Sequence, residues 1–349
     1  MIGHYAKSRR TTTLNFNNLL HTIRDGYLPL PESVIPLQRP FYLWEKLPCP
    51  TENRVEATPQ EFTNVLFNAV RSTIPNPSEP IAVLYSGGID SSVLLYILRE
   101  LYGVKNLVAY SLNLYPEENG MALQFAKSLG VKHVNMEFTL ASHLALINDL
   151  VRYLRSPTDL NTVTLFMATR IKHDNMRIVI SALGLDECQG GYPSHVKAIG
   201  AHFSEREAEI FEICQSHYVW INVEGMPELQ VKFPFLEHEL IKYARALPQE
   251  SKCTTVQTKI LLREAMRGKL PIEIVEAGRL AGTKYGFTPP IQTYWEMGLG
   301  DWVAKQKMKL PNSIKVLNRL GYFPRRNLWV EHRLATVPIF MEHLKHGNL

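Results

Sequence analysis

Seven consecutive residues, Ser86-Gly87-Gly88-Ile89-Asp90-Ser91-Ser92, combine types that could handle a phosphate chain. The glycine pair permits a tight turn and close backbone approach. The hydroxyls of Ser86, Ser91 and Ser92 are neutral donors, and the Asp90 carboxylate is a hard-oxygen ligand for a divalent metal. The five residues before them, Ile81 to Tyr85, form an apolar run short enough for a buried strand, and Ser91 to Leu101 has helical spacing. Strand, glycine turn and helix N-terminus together aim several backbone N–H groups at one anion. A second stretch, Ser181 to Tyr192, also follows an apolar run and sets Asp186 and Glu187 beside the Gly190-Gly191 pair.

These residues need elements to position them. Thr58-Pro59-Gln60-Glu61 reads as a helix start, with an N-cap, proline at the first helical position and Glu61 at the capping-box position. That helix would turn Phe62, Val65, Leu66 and Val70 inward and end near Ser72. Strands are expected over Ile81–Tyr85, Leu107–Leu112, Val131–Phe138 and Met176–Ala182. Helices are expected over Ser91–Leu101, Pro116–Leu129 (stopped by Gly130), Leu140–Leu154 and Thr162–His173. This alternation predicts an α/β fold, a doubly wound parallel sheet with right-handed crossovers. Ligands of such sheets sit outside the carboxyl ends of the strands, where both chemistry-bearing stretches fall. Residues 1–56, with Pro29, Pro31, Pro36, Pro40, Pro48 and Pro50, are expected to be an N-terminal extension with one helix at about Asn15–Arg24. Residues 57–349 form the main domain. Beyond Pro193 apolar spacing recurs at Glu205–Cys214, Glu237–Leu247, Thr258–Met266 and Leu328–Leu344, which predicts a helical C-terminal layer on the sheet.

The first stretch resembles the PP-loop signature, S-G-G-x-D-S, of the ATP pyrophosphatases, and no Walker-type G-K-[ST] ending is present. The second resembles the S-G-x-G-x-D-E-x-x-G-G-Y segment of asparagine synthetase-type amide ligases, with Ala182 in place of the first glycine. Val231-Lys-Phe-Pro-Phe-Leu-Glu-His238 is similar to the family's E-x-R-x-P-F-L-D stretch. Lys259 to Arg263, Leu270-Pro271 and Lys284-Tyr-Gly-Phe287 are similar to its K-x-L-L-R, L-P and K-x-G-F run. The resemblance implies an adenine nucleotide alpha-hydrolase-like fold and a ligase that adenylates a carboxylate on Mg²⁺·ATP, releases pyrophosphate and passes the acyl group to ammonia or an amine. Ser86, Gly87, Gly88, Asp90, Ser91 and Ser92 would then hold the phosphates. Asp90 and Asp186 would hold Mg²⁺, because two carboxylates from separate strand ends facing one triphosphate supply a magnesium bridge. Leu84, Leu112 and Ser181 would contact adenosine, with Gly184 beside them in the nucleotide site. Lys284 would neutralise the leaving pyrophosphate, with Asp186 beside it in the catalytic centre.

Departures from the pattern bear on the substrate. The variable position of S-G-x-G holds a glutamate in asparagine synthetases and a tyrosine in β-lactam-forming relatives; here it is Leu183, which exchanges no proton. The E-x-R appears as Gln230-Val231-Lys232. Both changes argue against aspartate-to-asparagine chemistry and for an apolar or self-activated substrate, an amine that arrives deprotonated, or loss of the second half-reaction. What precedes Gly26 is too short for a glutaminase domain, so nitrogen is expected from free ammonia, another amine or a separate amidotransferase. The alternatives are a PP-loop enzyme modifying a nucleobase or tRNA, and a non-catalytic ATP-binding subunit of an amidotransferase complex.

Bulk properties set the outer bounds. At 349 residues with 45% apolar and 20% charged residues, the composition is that of a globular protein able to bury a sizeable core. The net charge of +5 does not by itself call for nucleic acid, which is not an expected partner. Cys49, Cys188, Cys214 and Cys253 form no C-x-x-C pair and read as reduced thiols. His133, His143, His173 and His195 lack metal-ligand spacing. No apolar run or leader-like N-terminus points to a membrane, and the expected location is the cytoplasm.

Overall fold

The structure, a computed structural model, describes residues 14–25, 57–74, 79–114, 116–158, 162–217, 229–278, 290–324 and 327–347. The chain divides into two compact units. One comprises Phe41–Leu146 and Leu160–Pro290; the other comprises Met1–Pro40, Ile147–Asp159 and Ile291–Leu349. The boundary expected at 56/57 lies at the edge of residues 26–56, outside the described residues.

In chain order the described elements begin with α1 (Phe16–Asp25), α2 (Pro59–Thr73), β1 (Ile81–Leu84), α3 (Ile89–Tyr102), β2 (Leu107–Leu112), α4 (Pro116–Ser128), β3 (Lys132–Met136), α5 (Leu140–Leu154), α6 (Thr162–His173) and β4 (Ile178–Ile180). They continue with α7 (Leu185–Cys188), α8 (Pro193–Lys197), α9 (Phe203–His217), β5 (Gln230–Lys232), α10 (His238–Ala246), α11 (Gln249–Lys252), α12 (Ile260–Met266) and α13 (Ile272–Glu276). The last are α14 (Ile291–Tyr294), joined through a kink at Gly298 to α15 (Gly300–Lys307), then α16 (Asn312–Arg319) and α17 (Leu328–His346).

The larger unit is built on a five-stranded, wholly parallel sheet of order β3-β2-β1-β4-β5. All four residues of β1 are buried, as a central strand covered on both faces requires. The chain winds from β1 outward through β2 to β3, then returns to place β4 on the other side of β1. The order therefore reverses between β1 and β4, and the crevice at their carboxyl ends is the switch point where such sheets bind ligands. Helix α2 starts as its sequence predicts: the Thr58 side chain accepts a hydrogen bond from the Glu61 N–H at 3.2 Å. Its Phe62, Leu66 and Val70 pack with Val93, Leu94 and Ile97 of α3 and with Leu261, Leu262 and Met266 of α12 in one continuous core. Helices downstream of the sheet thus supply its covering layer.

The doubly wound parallel sheet is as predicted, with two local differences. β4 is three residues long rather than seven. β5, pairing Gln230, Val231 and Lys232 with Ile178, Val179 and Ile180, is an additional strand in a region read as helical and irregular. A three-residue edge strand with a single apolar side chain carries no recognisable alternation, so only the sheet edge specifies it.

The smaller unit is helical among its described residues. Its core joins Leu19, Leu20 and Ile23 of α1 with Val151 of α5, Ile314 of α16 and Val330, Leu334, Val337 and Phe340 of α17. Asn327 caps α17 by accepting from the N–H groups of Trp329 and Val330 at 3.1 and 3.3 Å. Arg333 donates to the carbonyls of Ile23 and Arg24 at 2.9 and 3.1 Å, satisfying orphan acceptors at the end of α1.

Candidate functional site

The loop leaving β1 turns at Gly87 (φ 79°) and enters α3 with Gly88 as its N-cap. Gly88 has no side chain to occupy the first turn, so the helix N-terminus is left for a ligand. A small hydroxyl network shapes the loop. The Ser91 Oγ–H donates to the Gly88 carbonyl at 3.1 Å and Ser91 Oγ accepts from the Ser86 N–H at 3.3 Å. The Ser86 and Ser91 hydroxyls are 3.2 Å apart. Ser86 and Ser91 are therefore loop-forming residues as well as candidate donors to phosphate. Ser92 is fully buried, with its hydroxyl 3.5 Å from the Tyr85 hydroxyl.

Below the loop, the ends of β1 and β2 are tied to each other and to the first part of β3. Ser111 donates to the Tyr85 carbonyl, and His133 Nε2 lies 2.7 Å from Ser111 Oγ. Because the Ser111 proton is already committed, His133 must donate through Nε2. Burial lowers its pKa and keeps the ring neutral. Leu84 and Leu112 are buried at the ends of β1 and β2 beside this network.

The second stretch lies at the end of β4. Ser181 is buried and its N–H donates to the Lys232 carbonyl at 3.1 Å, which ties it to β5. Its glycines have steric reasons. A Cβ on Gly184 (φ 116°) would stand 2.4 Å from the Phe235 carbonyl oxygen, and one on Gly191 would stand 1.9 Å from Asp186 Oδ1. Gly191 thus leaves the space that the Asp186 carboxylate occupies. Tyr192 closes the turn by donating to Glu187 Oε1 at 2.8 Å. Leu183, like Tyr192 and Phe233, packs against an apolar cluster containing Phe211 and Leu236.

Asp90, in the first turn of α3, and Asp186, in α7, meet on a single side chain. Lys259 Nζ is 2.5 Å from Asp90 Oδ2 and 2.5 Å from Asp186 Oδ1. Lys259 is almost wholly buried and immediately precedes α12 in a left-handed conformation (φ 57°, ψ 40°) that is uncommon for a residue with a side chain. Its N–H donates to the Gln189 carbonyl at 3.2 Å, which joins the start of α12 to the Asp186 turn. Burial opposes its charge, but the carboxylates of Asp186 and Asp90 outweigh burial and hold the ammonium above the usual lysine range. Lys259, which joins two of the candidate residues, is absent from the candidates above. The signal for it was present, as the first position of the K-x-L-L-R run.

Arg263, the last position of that run, is also buried. It donates to the carbonyls of Thr258 (2.8 Å), Ala277 (2.9 Å) and Gly278 (2.8 Å), and to that of Val275. It therefore clamps the backbone leading into residues 279–289. Lys284 falls in that segment, outside the described residues, as do Arg325 and Arg326.

The donor set fits magnesium. Two carboxylates from different elements already share one cation, while no cluster of three or more His, Cys, Asp or Glu exists among the described residues. A hard cation that keeps several waters and takes its remaining ligands from substrate phosphates needs no more than this.

The family model described as asparagine synthase matches residues 61–217 and 226–328. A probable glutamine-hydrolyzing asparagine synthetase of Acanthamoeba polyphaga mimivirus is 26% identical over 240 residues, covering 64% of this chain and 43% of that protein. Asparagine synthetase B of Escherichia coli (strain K12) is 25% identical over 237 residues, covering 61% of this chain and 42% of that one. The chain spans less than half the length of these relatives. The structure of NMN synthetase from Francisella tularensis is similar at a TM-score of 0.35, with 15% identity over 82% of this chain and 96% of that one.

Proposed function

Because the chain belongs to the asparagine synthase family, we propose that it is an ATP-dependent carbon–nitrogen ligase forming AMP and pyrophosphate. A substrate carboxylate oxygen attacks the α-phosphorus, the α–β anhydride bond breaks, and pyrophosphate leaves. Ammonia or an amine then attacks the acyl carbon, AMP departs, and the nitrogen loses a proton. The observation that carries this reading is the convergence of Asp90 and Asp186 on Lys259 beside the open N-terminus of α3.

The residues divide the work by charge. Backbone N–H groups at Gly88 and the first turn of α3, with the hydroxyls of Ser86, Ser91 and Ser92, bind phosphate oxygens. Leu84, Leu112, Ser181 and Gly184, at the neighbouring strand ends, take the adenosine. Asp90 and Asp186 hold Mg²⁺, which supplies charge neutralisation and orientation of the phosphates when bound. Lys259 stays protonated, spans both carboxylates and is placed to meet charge building on the leaving pyrophosphate. Lys284 is assigned the same role by the resemblance, and Asp186 is assigned to the same catalytic centre.

Leu183 bears on the acceptor. Its packing against the cluster of Cys188, Phe211 and Leu236 puts an apolar side chain where the resemblance has an ionisable one, favouring a carboxylate other than aspartate. The same feature favours the second reading, an ATP-binding subunit without turnover. Pyrophosphate release from Mg²⁺·ATP, measured with a panel of carboxylates and with ammonium, separates the two. Binding of ATP with no α-phosphorus chemistry under any substrate leaves only the subunit.

A further inference from the structure

Outside the nucleotide site, the smaller unit carries a groove of about 610 Å³ whose character differs from the sheet unit. Its lining combines apolar side chains, Trp295, Val303 and Met308, with basic ones, Lys307, Lys315 and Arg319. Within it Glu331 pairs with Lys307, so the acidic lining is already matched. Charge is segregated between the two units. Over the ranges of the smaller unit Lys and Arg number 16 against 8 Asp and Glu, while over the remainder acids lead by 25 to 22. The modest net charge of the chain hides this division.

Two features give the groove a direction. On α16, Lys315 and Arg319 are one turn apart, and Val316 and Leu320 form a parallel row that stays in solvent, with Leu320 77% exposed. Met308 and Met297 are exposed nearby in sequence, and methionine adapts to varied apolar partners. The kink between α14 and α15 is the second feature. It turns at Gly298 (φ 118°), a backbone angle that favours glycine, and brings the Trp295 indole against Gly300, both of which line the groove.

We propose that this groove, together with the exposed Val316 and Leu320 beside its Lys315 and Arg319, docks an acidic amphipathic helix of a partner protein. Aliphatic side chains of the partner would cover Val316, Leu320 and Met308, and its carboxylates would face Lys315 and Arg319. Complementary charge would steer the encounter, and the apolar contacts would hold the complex. The exposed aliphatic row does not suit nucleic acid, which stacks on aromatic faces.

The test uses the full chain and a labelled 16-residue helical peptide with Leu at one helix face and Glu on its flanks, followed by fluorescence anisotropy. The expected affinity is in the range of about 10–100 µM, falling at least ~10-fold in the Lys315→Glu/Arg319→Glu double variant and in Leu320→Ser. A charge-reversed peptide with Lys for Glu is expected not to bind, and added salt to weaken binding. All three substituted residues are partly or largely exposed, and a circular dichroism melt confirms that the variants fold. The proposal is overturned if the acidic peptide fails to bind at about 1 mM, or binds the double variant equally. Tighter binding of a 12-nucleotide single-stranded RNA or of phosphatidylserine vesicles, lost in the same variants, also overturns it.

Discussion

At the scale of single residues, the site turns on one ammonium between two carboxylates. Asp90 and Asp186 come from elements separated by β2, β3 and β4, and each would repel the other without a cation between them. Asp90→Asn is therefore expected to abolish both metal-dependent ATP binding, read by isothermal titration with and without Mg²⁺, and pyrophosphate release. Full activity in that variant would remove Asp90 from the site. Lys259→Ala is expected to lower pyrophosphate release by about 10²–10³-fold, the usual loss for a positioned charge. It should also destabilise the metal-free protein by about 3 kcal/mol, since a buried charge partner is lost. Mg²⁺ should recover more thermal stability in the variant than in the wild type. An equal Mg²⁺ shift in the two proteins would mean that Lys259 does not stand in for a cation.

Elements decide whether those residues arrive in register. The turn between β4 and α8 carries Asp186 only because Gly191 yields the space its carboxylate fills. Gly191→Ala is expected to displace Asp186 and to cost at least ~10²-fold in pyrophosphate release, because misplacement of about 1 Å has that effect. Its fold should survive, as checked by circular dichroism. The Arg263 clamp acts on α12 and α13 together. Arg263→Lys keeps the charge but loses the planar fork that reaches four carbonyls, leaving several buried acceptors unpaired. A loss of about 3 kcal/mol in urea unfolding is expected. An unchanged midpoint would show that the carbonyls find other donors.

Across the whole molecule, buried neutral imidazoles make stability depend on pH. His143 is fully buried, with Nδ1 2.6 Å from Thr162 Oγ1, and desolvation lowers its pKa to about 4. His195 is lowered to about 3, first by burial and then by the nearby Lys252 and Arg206 charges. Each folded-state pKa is below the unfolded value of about 6.5, so the unfolded chain binds protons that the native state refuses. Their stabilising contribution is complete above pH 6.5 and falls with pH, by at most about 1.4 kcal/mol per pH unit for each ring. His143→Gln should flatten the stability profile between about pH 6.5 and pH 4, and an identical profile would show that this ring protonates in the native state.

The sequence by itself determined the alternating strands and helices, the capped start of α2, and the two glycine-bearing turns at the ends of β1 and β4 that form the proposed site. Each of those is local. Apolar period, a glycine needed by a backbone angle, and an N-cap act within a few residues and leave a readable pattern. The hexad at Ser86 was legible for the same reason, since loop and helix N-terminus are contiguous. Tertiary structure decided β5, because a three-residue edge strand is specified by its neighbour rather than by its own side chains. It also decided the pairing of Lys259 with Asp90 and Asp186. That contact joins residues 169 and 73 positions apart, and no short-range periodicity encodes which charge will be buried against which. The division of charge between the units was hidden in the same way, because the smaller unit draws α1, part of α5 and the C-terminal helices from distant parts of the chain.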